Sequence, residues 1–216
     1  MLQSSFENAD LSGVIMHYTT AAAVSFIFSN VNHAECFESY LHFANFSSAV
    51  MNNALLLNCN LNHTNWNKAI IVSSIFADLS YYVEDIISGG SDKEFLIQTD
   101  QNFGFDRVDK IIQDLPAYPN HASSNQNSSP AENAPSYWQK ECSINDATFT
   151  DALADSVVFL NIVADRSTFN RAFFKNSFWA NCRSYLSDCI GTDFRYSAFV
   201  PILLYGAVQF YKRKPD

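Results

Sequence analysis

The sequence predicts a solenoid built from units of five residues, and three observations carry that prediction. Every fifth residue from Phe6 to Phe76 is apolar: Phe6, Leu11, Met16, Ala21, Phe26, Val31, Cys36, Leu41, Phe46, Met51, Leu56, Leu61, Trp66, Ile71 and Phe76. In a chain that is 48% hydrophobic, such a run has a chance probability on the order of 10⁻⁵, so the period of five precedes any helix or strand assignment. A second lattice, two residues ahead of the first, holds only small side chains, from Ser4, Ala9 and Val14 to Ala69 and Ser74. Both lattices return in a shifted frame after a break of about sixty residues.

Ordinary periodicities do not fit this pattern. A helix repeats apolar residues three and four apart and a strand two apart, whereas a period of five with one large and one small inward residue needs a turn in every unit. The first block, residues 1–81, therefore reads as fifteen repeats. Units such as Ala9-Asp10-Leu11, Ala44-Asn45-Phe46, Thr64-Asn65-Trp66 and Thr192-Asp193-Phe194 resemble the pentapeptide-repeat family: a small residue, a polar one, Leu or Phe, then two variable residues. The resemblance covers about 135 of the 216 residues. It implies an all-β fold, a right-handed quadrilateral parallel β-helix with one repeat per face and four per coil.

Residues twenty apart then stack. Phe6, Phe26, Phe46 and Trp66 are expected in one internal column, and Phe159, Trp179 and Phe199 in another, as the structural core. At roughly 4.8 Å between paired strands, the first block of nearly four coils would be about 19 Å long and the second, of three, about 14 Å.

The segment 82–141 interrupts the repeat. Phe105 to Leu115 places Val108, Ile111, Ile112 and Leu115 on one side of a short amphipathic helix, with Asp106 and Asp109 near its amino end, as the helix dipole prefers. Residues 116–135 are rich in Pro, Ser, Asn and Ala and read as a disordered loop. The second block, 142–199, carries twelve repeats in which only Ser184 and Ile162 break the rule. Ile162 sits beside Ala164, so a large and a small residue have exchanged places at constant volume. Residues 200–216 read as a cap over the last coil. In some relatives this position mediates dimerisation, so the resemblance implies a cap with or without a homodimer contact through the C-terminal segment. The longest apolar run, Ala198 to Tyr211, contains Pro201 and Gly206 and is too short for a membrane span. No targeting signal is seen at the amino terminus.

All five cysteines fall on inward positions, with no CxxC and an odd count, and read as buried free thiols in a reducing, cytoplasmic setting. His17, His33, His42 and His63 fall on outward positions and His121 in the loop. No Gly-rich phosphate loop, GxSxG or HExxH occurs. Catalytic, cofactor and metal sites are therefore not expected, and surface carboxylates are read as turn residues.

Net charge is −9. It divides as −4 over residues 1–81, −6 over 82–141 and +1 over 142–216. No basic patch with interleaved aromatics suggests direct nucleic-acid binding. Outward apolar residues stand out instead: Ile15, Leu55 and Ile75 in one column, Val50 and Ile70 in the next, with Leu57 close by, suggesting an exposed apolar surface. It would receive the 105–115 helix, a protein partner or a dimer mate. Tyr18, Phe28, Phe37 and Phe43 add scattered outward aromatics.

The expected function is non-enzymatic protein binding. The resemblance implies, as its most specific reading, an acidic DNA mimic that binds DNA gyrase or another type II topoisomerase and protects it from quinolones or toxins. The alternative is a scaffold or secreted effector that presents the 82–141 insert to another protein. Candidate binding residues are Asp92, Glu94, Asp100, Asp106 and Asp109 in the insert, and Val50, Leu55, Ile70 and Ile75 on the wall.

Overall fold

The computed structural model describes residues 4–78 and 142–205, with side chains described up to residue 199. These residues fall in one compact unit. The expected helix at 105–115, the loop at 116–135 and the end of the C-terminal segment lie outside the described residues.

Four internal columns run the length of the unit, one per face. The first face stacks Phe6 on Phe26, Phe46, Trp66, Phe149 and Phe169, with successive ring centroids 5.6, 4.6, 4.2, 5.8 and 5.3 Å apart. The third face carries Phe76, Phe159, Trp179 and Phe199. Leu11, Val31, Met51, Ile71, Ala154, Phe174 and Phe194 share the second face, and Ala21, Leu41, Leu61, Ile144, Ala164 and Ser184 the fourth. Stacking of rings from successive coils adds to the area they bury. Ile162 and Ala164 are both fully buried, so the exchanged pair fills one layer. Phe199 departs from the core expectation: packed on Trp179 at one end of its column, it is 44% exposed. Phe6, at the opposite end, is only partly buried.

Turns follow from residue type. The residue after next to the large one has positive φ, between 44° and 63° from Asn8 to Tyr196 and +69° and +70° at Gly13 and Gly191; Asp78, after Phe76, where the repeat is interrupted, is the exception. The polar residue just ahead of the large one caps that turn: Asp10, Asn30, Asn45, Asn60 and Asn65 each accept the backbone N–H two residues on, at 3.0–3.1 Å. This is why Asp and Asn recur. Small inward hydroxyls donate to carbonyls of the neighbouring coil, as Ser39 Oγ to Met16 at 2.5 Å and Thr192 Oγ1 to Phe169 at 2.6 Å, or of their own, as Ser29 Oγ to Phe26 and Thr64 Oγ1 to Leu61, both at 2.6 Å.

Extended strands appear on the second and third faces, where outer residues are apolar or β-branched. β1 (Ile15–His17), β2 (Glu35–Phe37), β4 (Leu55–Leu57), β6 (Ile75–Ala77), β8 (Val158–Leu160), β9 (Phe178–Tyr185) and β10 (Ala198–Tyr205) form a seven-stranded parallel sheet in that order. β3 (Val50–Asn52), β5 (Ile70–Val72) and β7 (Leu153–Asp155) form a second. The other two faces, with Ser, Thr and Asn outside, pair through isolated bridges.

The two blocks are one coil. β6 pairs with β8 through Phe76↔Phe159, and β5 with β7 through Ile71↔Ala154. Asn62 Oδ1 accepts the Asn145 N–H at 2.8 Å, just as Asn32 Oδ1 accepts that of Asn52 at 2.7 Å. Register partners across the gap lie 83 positions apart instead of 20, so Cys142 takes the place that follows Asp78. The 63 residues from 79 to 141 enter between two units without altering the stack.

Candidate protein-binding surface

Once inward positions are filled and Asx residues are committed to turns, the outer wall offers three features: an apolar ladder, a set of ion pairs and an aromatic corner. The apolar columns expected from sequence separate into two kinds. Val50 is half-buried and Ile70 is 37% exposed, whereas Leu55, Leu57 and Ile75 are buried. The exposed surface anticipated at Leu55 and Ile75 is therefore corrected. The outer face of the seven-stranded sheet is apolar in coil after coil, through Leu55, Leu57, Ile75, Ala77, Leu160, Phe178 and Ala180, and all of these are withdrawn from water. Phe37 is buried with them. Ile15, on the first strand of the same sheet, remains exposed.

On the three-stranded sheet the ladder continues. Val50 pairs with Ile70, Ile70 with Leu153 and Leu153 with Phe173, all in register. Leu153 is 46% and Phe173 42% exposed. Sequence reasoning missed both, since they lie beyond the insert; advancing Ile70 by the 83-residue offset leads to Leu153. Polar rungs close the ladder: Asn30, whose amide donates to Asp10 Oδ1 at 3.0 Å, and Asp193, which accepts from Arg195 Nη2 at 2.7 Å. Lys175 Nζ lies 5.7 Å from the Phe173 ring centroid and 4.0 Å from Asp193.

Each Arg and Lys on the described second half of the coil is paired with an aspartate. Arg166 and Arg171 grip Asp146 and Asp151 one coil below in two-bond geometry, 2.6 to 2.8 Å. Arg183 meets Asp165 at 3.0 Å. The Arg166 guanidinium holds Asp146 below the usual carboxylate range, and Arg195 does the same for Asp193. Hydrogen bonds from the Ser12 backbone and hydroxyl lower Asp10.

The aromatic corner stacks Phe43 on His63 at 4.7 Å, with His42 5.0 Å from His63 and Asp146 3.8 Å from His63 Nε2. Burial and the neighbouring His63 lower the His42 pKa. Among the described residues no group of three or more His, Cys, Asp and Glu could hold a metal ion. All five cysteines are free and buried. Burial pushes Cys36, Cys182 and Cys189 up to about 12 and Cys59 and Cys142 well above the ordinary thiol value. Such thiols are inert. Among the described residues no helix is long and apolar enough to cross a membrane. Asp92, Glu94, Asp100, Asp106 and Asp109 lie outside the described residues.

No family model and no curated protein matches the sequence. Solved structures similar to this chain include HetL, a pentapeptide repeat protein involved in heterocyst differentiation regulation from the cyanobacterium Nostoc, at 10% identity over 94% of this chain and 84% of that one, TM-score 0.24. Full-length QnrB1, a plasmid-mediated fluoroquinolone resistance protein, matches at 11% identity over 92% of each chain, TM-score 0.27. A trypsin-treated QnrB1 matches at 9% over 94% and 90%, TM-score 0.32. At such scores the fold rests on the coil itself: the five-residue unit, the one-unit face and the twenty-residue turn are those of the pentapeptide-repeat fold.

Proposed function

We propose that the chain is a non-enzymatic protein-binding solenoid of the cytoplasm, and that its partner is DNA gyrase or another type II topoisomerase, engaged as an acidic DNA mimic. One observation carries this reading: each Arg and Lys of the described second half lies within 4.0 Å of an aspartate. Its cations are thereby neutralised in place, and residues 4–78 and 142–205 together keep a net charge of −5. A rod with this balance suits a basic groove and steers towards it at long range. The acids Asp92, Glu94, Asp100, Asp106 and Asp109 would add to the contact. Free, buried thiols suit a reducing compartment.

A supercoiling assay with increasing protein, with and without a quinolone, tests the reading. It compares the full chain with one in which Asp78 is joined to Cys142, which keeps the phase of the coil. Protection or inhibition at low micromolar protein supports it, and loss on deletion assigns the contact to 79–141. No effect from either protein rejects gyrase. A second reading, a scaffold that presents 79–141 to another protein, is favoured by the coil continuing in register across the insertion point. It requires a non-topoisomerase partner captured by the full chain and lost with the deletion.

A further inference from the structure

We propose that the ladder Val50, Ile70, Leu153 and Phe173 is the seat of a second copy of this chain, docked antiparallel about a two-fold axis between the Ile70 and Leu153 rungs. The ladder is the place on the described wall where apolar outer residues follow one another over four coils and stay accessible to water. Its rungs are spaced by roughly 4.8 Å, so it extends about 14 Å. Ile15, Tyr18, Phe28, Phe43 and Tyr196, also exposed, sit on other columns.

Three features select a second copy. The first is size. Side chains grow along the ladder from Val50 through Ile70 and Leu153 to Phe173, so the two-fold sets Phe173 against Val50 and Ile70 against Leu153. Each layer then holds nearly the same volume, the large-against-small alternation that close packing needs. A parallel mate would set Phe173 against Phe173 and leave a gap at Val50. The second is charge. The two-fold brings the Asp193 and Arg195 rung of one copy over the Asn30 rung of the other. The Arg195 side chain, 65% exposed, then lies within one rung of Asp10, a carboxylate whose described partners are the neutral Ser12 and Asn30. The third is form: sheet faces pack flat at about 10 Å, and an isologous contact closes on itself without leaving a sticky end. The apolar patch is small, which places the contact in the concentration-dependent class.

Sedimentation velocity on the intact chain, from about one to a few hundred micromolar, reads the weight-average mass. The expected result is a rise from monomer to dimer mass. Leu153→Asp, on an exposed position, should stay monomeric with an unchanged circular dichroism spectrum and melting temperature. Val50→Phe overfills its layer and Phe173→Val empties it, so each should weaken dimerisation about tenfold or more, and the double variant should recover it. A monomer at every concentration overturns the proposal, as does a Leu153→Asp protein that dimerises like the parent. A double variant no better than either single one overturns the antiparallel register. Gyrase protection by Leu153→Asp is scored separately and bears only on the topoisomerase reading.

Discussion

Phe46 lies between Phe26 and Trp66, with centroids 4.6 and 4.2 Å away and ring planes within 2° and 6° of parallel. Phe46→Ala removes the ring from both contacts at once. The neighbours cannot close the gap, because their spacing is fixed by the backbone ladder: Phe26 donates to Asn45 O and Phe46 to Asn65 O, both at 2.7 Å. A Phe→Ala change in a core costs about 3–5 kcal/mol, and poor collapse places this site in the upper half of that range, about 4 kcal/mol. With a urea dependence of about 2 kcal/mol per molar, the midpoint should fall by about 2 M at unchanged slope. Equilibrium urea melts followed by tryptophan fluorescence and circular dichroism measure it. Ile190→Ala, at an exposed outer position, should change the stability by less than about 0.5 kcal/mol. A loss under about 1 kcal/mol for Phe46→Ala would refute the view that the internal ring column holds successive coils together.

Other expectations are simpler. Gly13 has φ +69° with nothing within 4 Å of an added Cβ, so Gly13→Ala should cost about 1 kcal/mol of backbone strain alone, read from the same melts. The five thiols should resist a thiol reagent in native protein and all react in denaturant, as burial keeps them protonated; fast native labelling would contradict their placement. Asp146 and Asp193 are held below the usual carboxylate range when folded. Their contribution is therefore present above the unfolded value near about 4 and lost as pH falls through the lower folded values. Melting temperature should drop on acidification below about pH 4, with a shallower acid limb in Arg166→Met.

The large inward positions were legible because burial imposes one residue class at one spacing, and the chain obeys it even where Ile162 and Ala164 trade places. What the lattice did not convey is solvent access on the outside. Val50 and Leu55 look alike in sequence, both apolar and both just ahead of a large residue, yet one lies on a wall open to water and the other on a face withdrawn from it. Period five assigns direction, whereas accessibility depends on what lies beyond the wall. Leu153 and Phe173 escaped notice for a different reason: they are twenty apart, but their link to Val50 and Ile70 is set by spatial register, which the insert hides from a count of twenty. Adjacency in sequence does not reveal the ion pairs. Asp165 and Arg166 are adjacent in sequence, but Arg166 reaches Asp146 in the coil below, and Asp165 receives Arg183 from the coil above.

The junction between Asp78 and Cys142 shows where this fold keeps its memory. Phase is held in space, by rings and amides that find the coil beneath them, and sequence distance between units is immaterial to it. A corner of the coil thus behaves as a socket into which foreign polypeptide can be spliced, provided its two ends meet within about one residue step of 3.8 Å. The inside of a unit has no such tolerance: a single extra residue there must bulge outward or carry every later ring off its column. For this architecture, one residue added within a repeat is a graver change than sixty-three added between two.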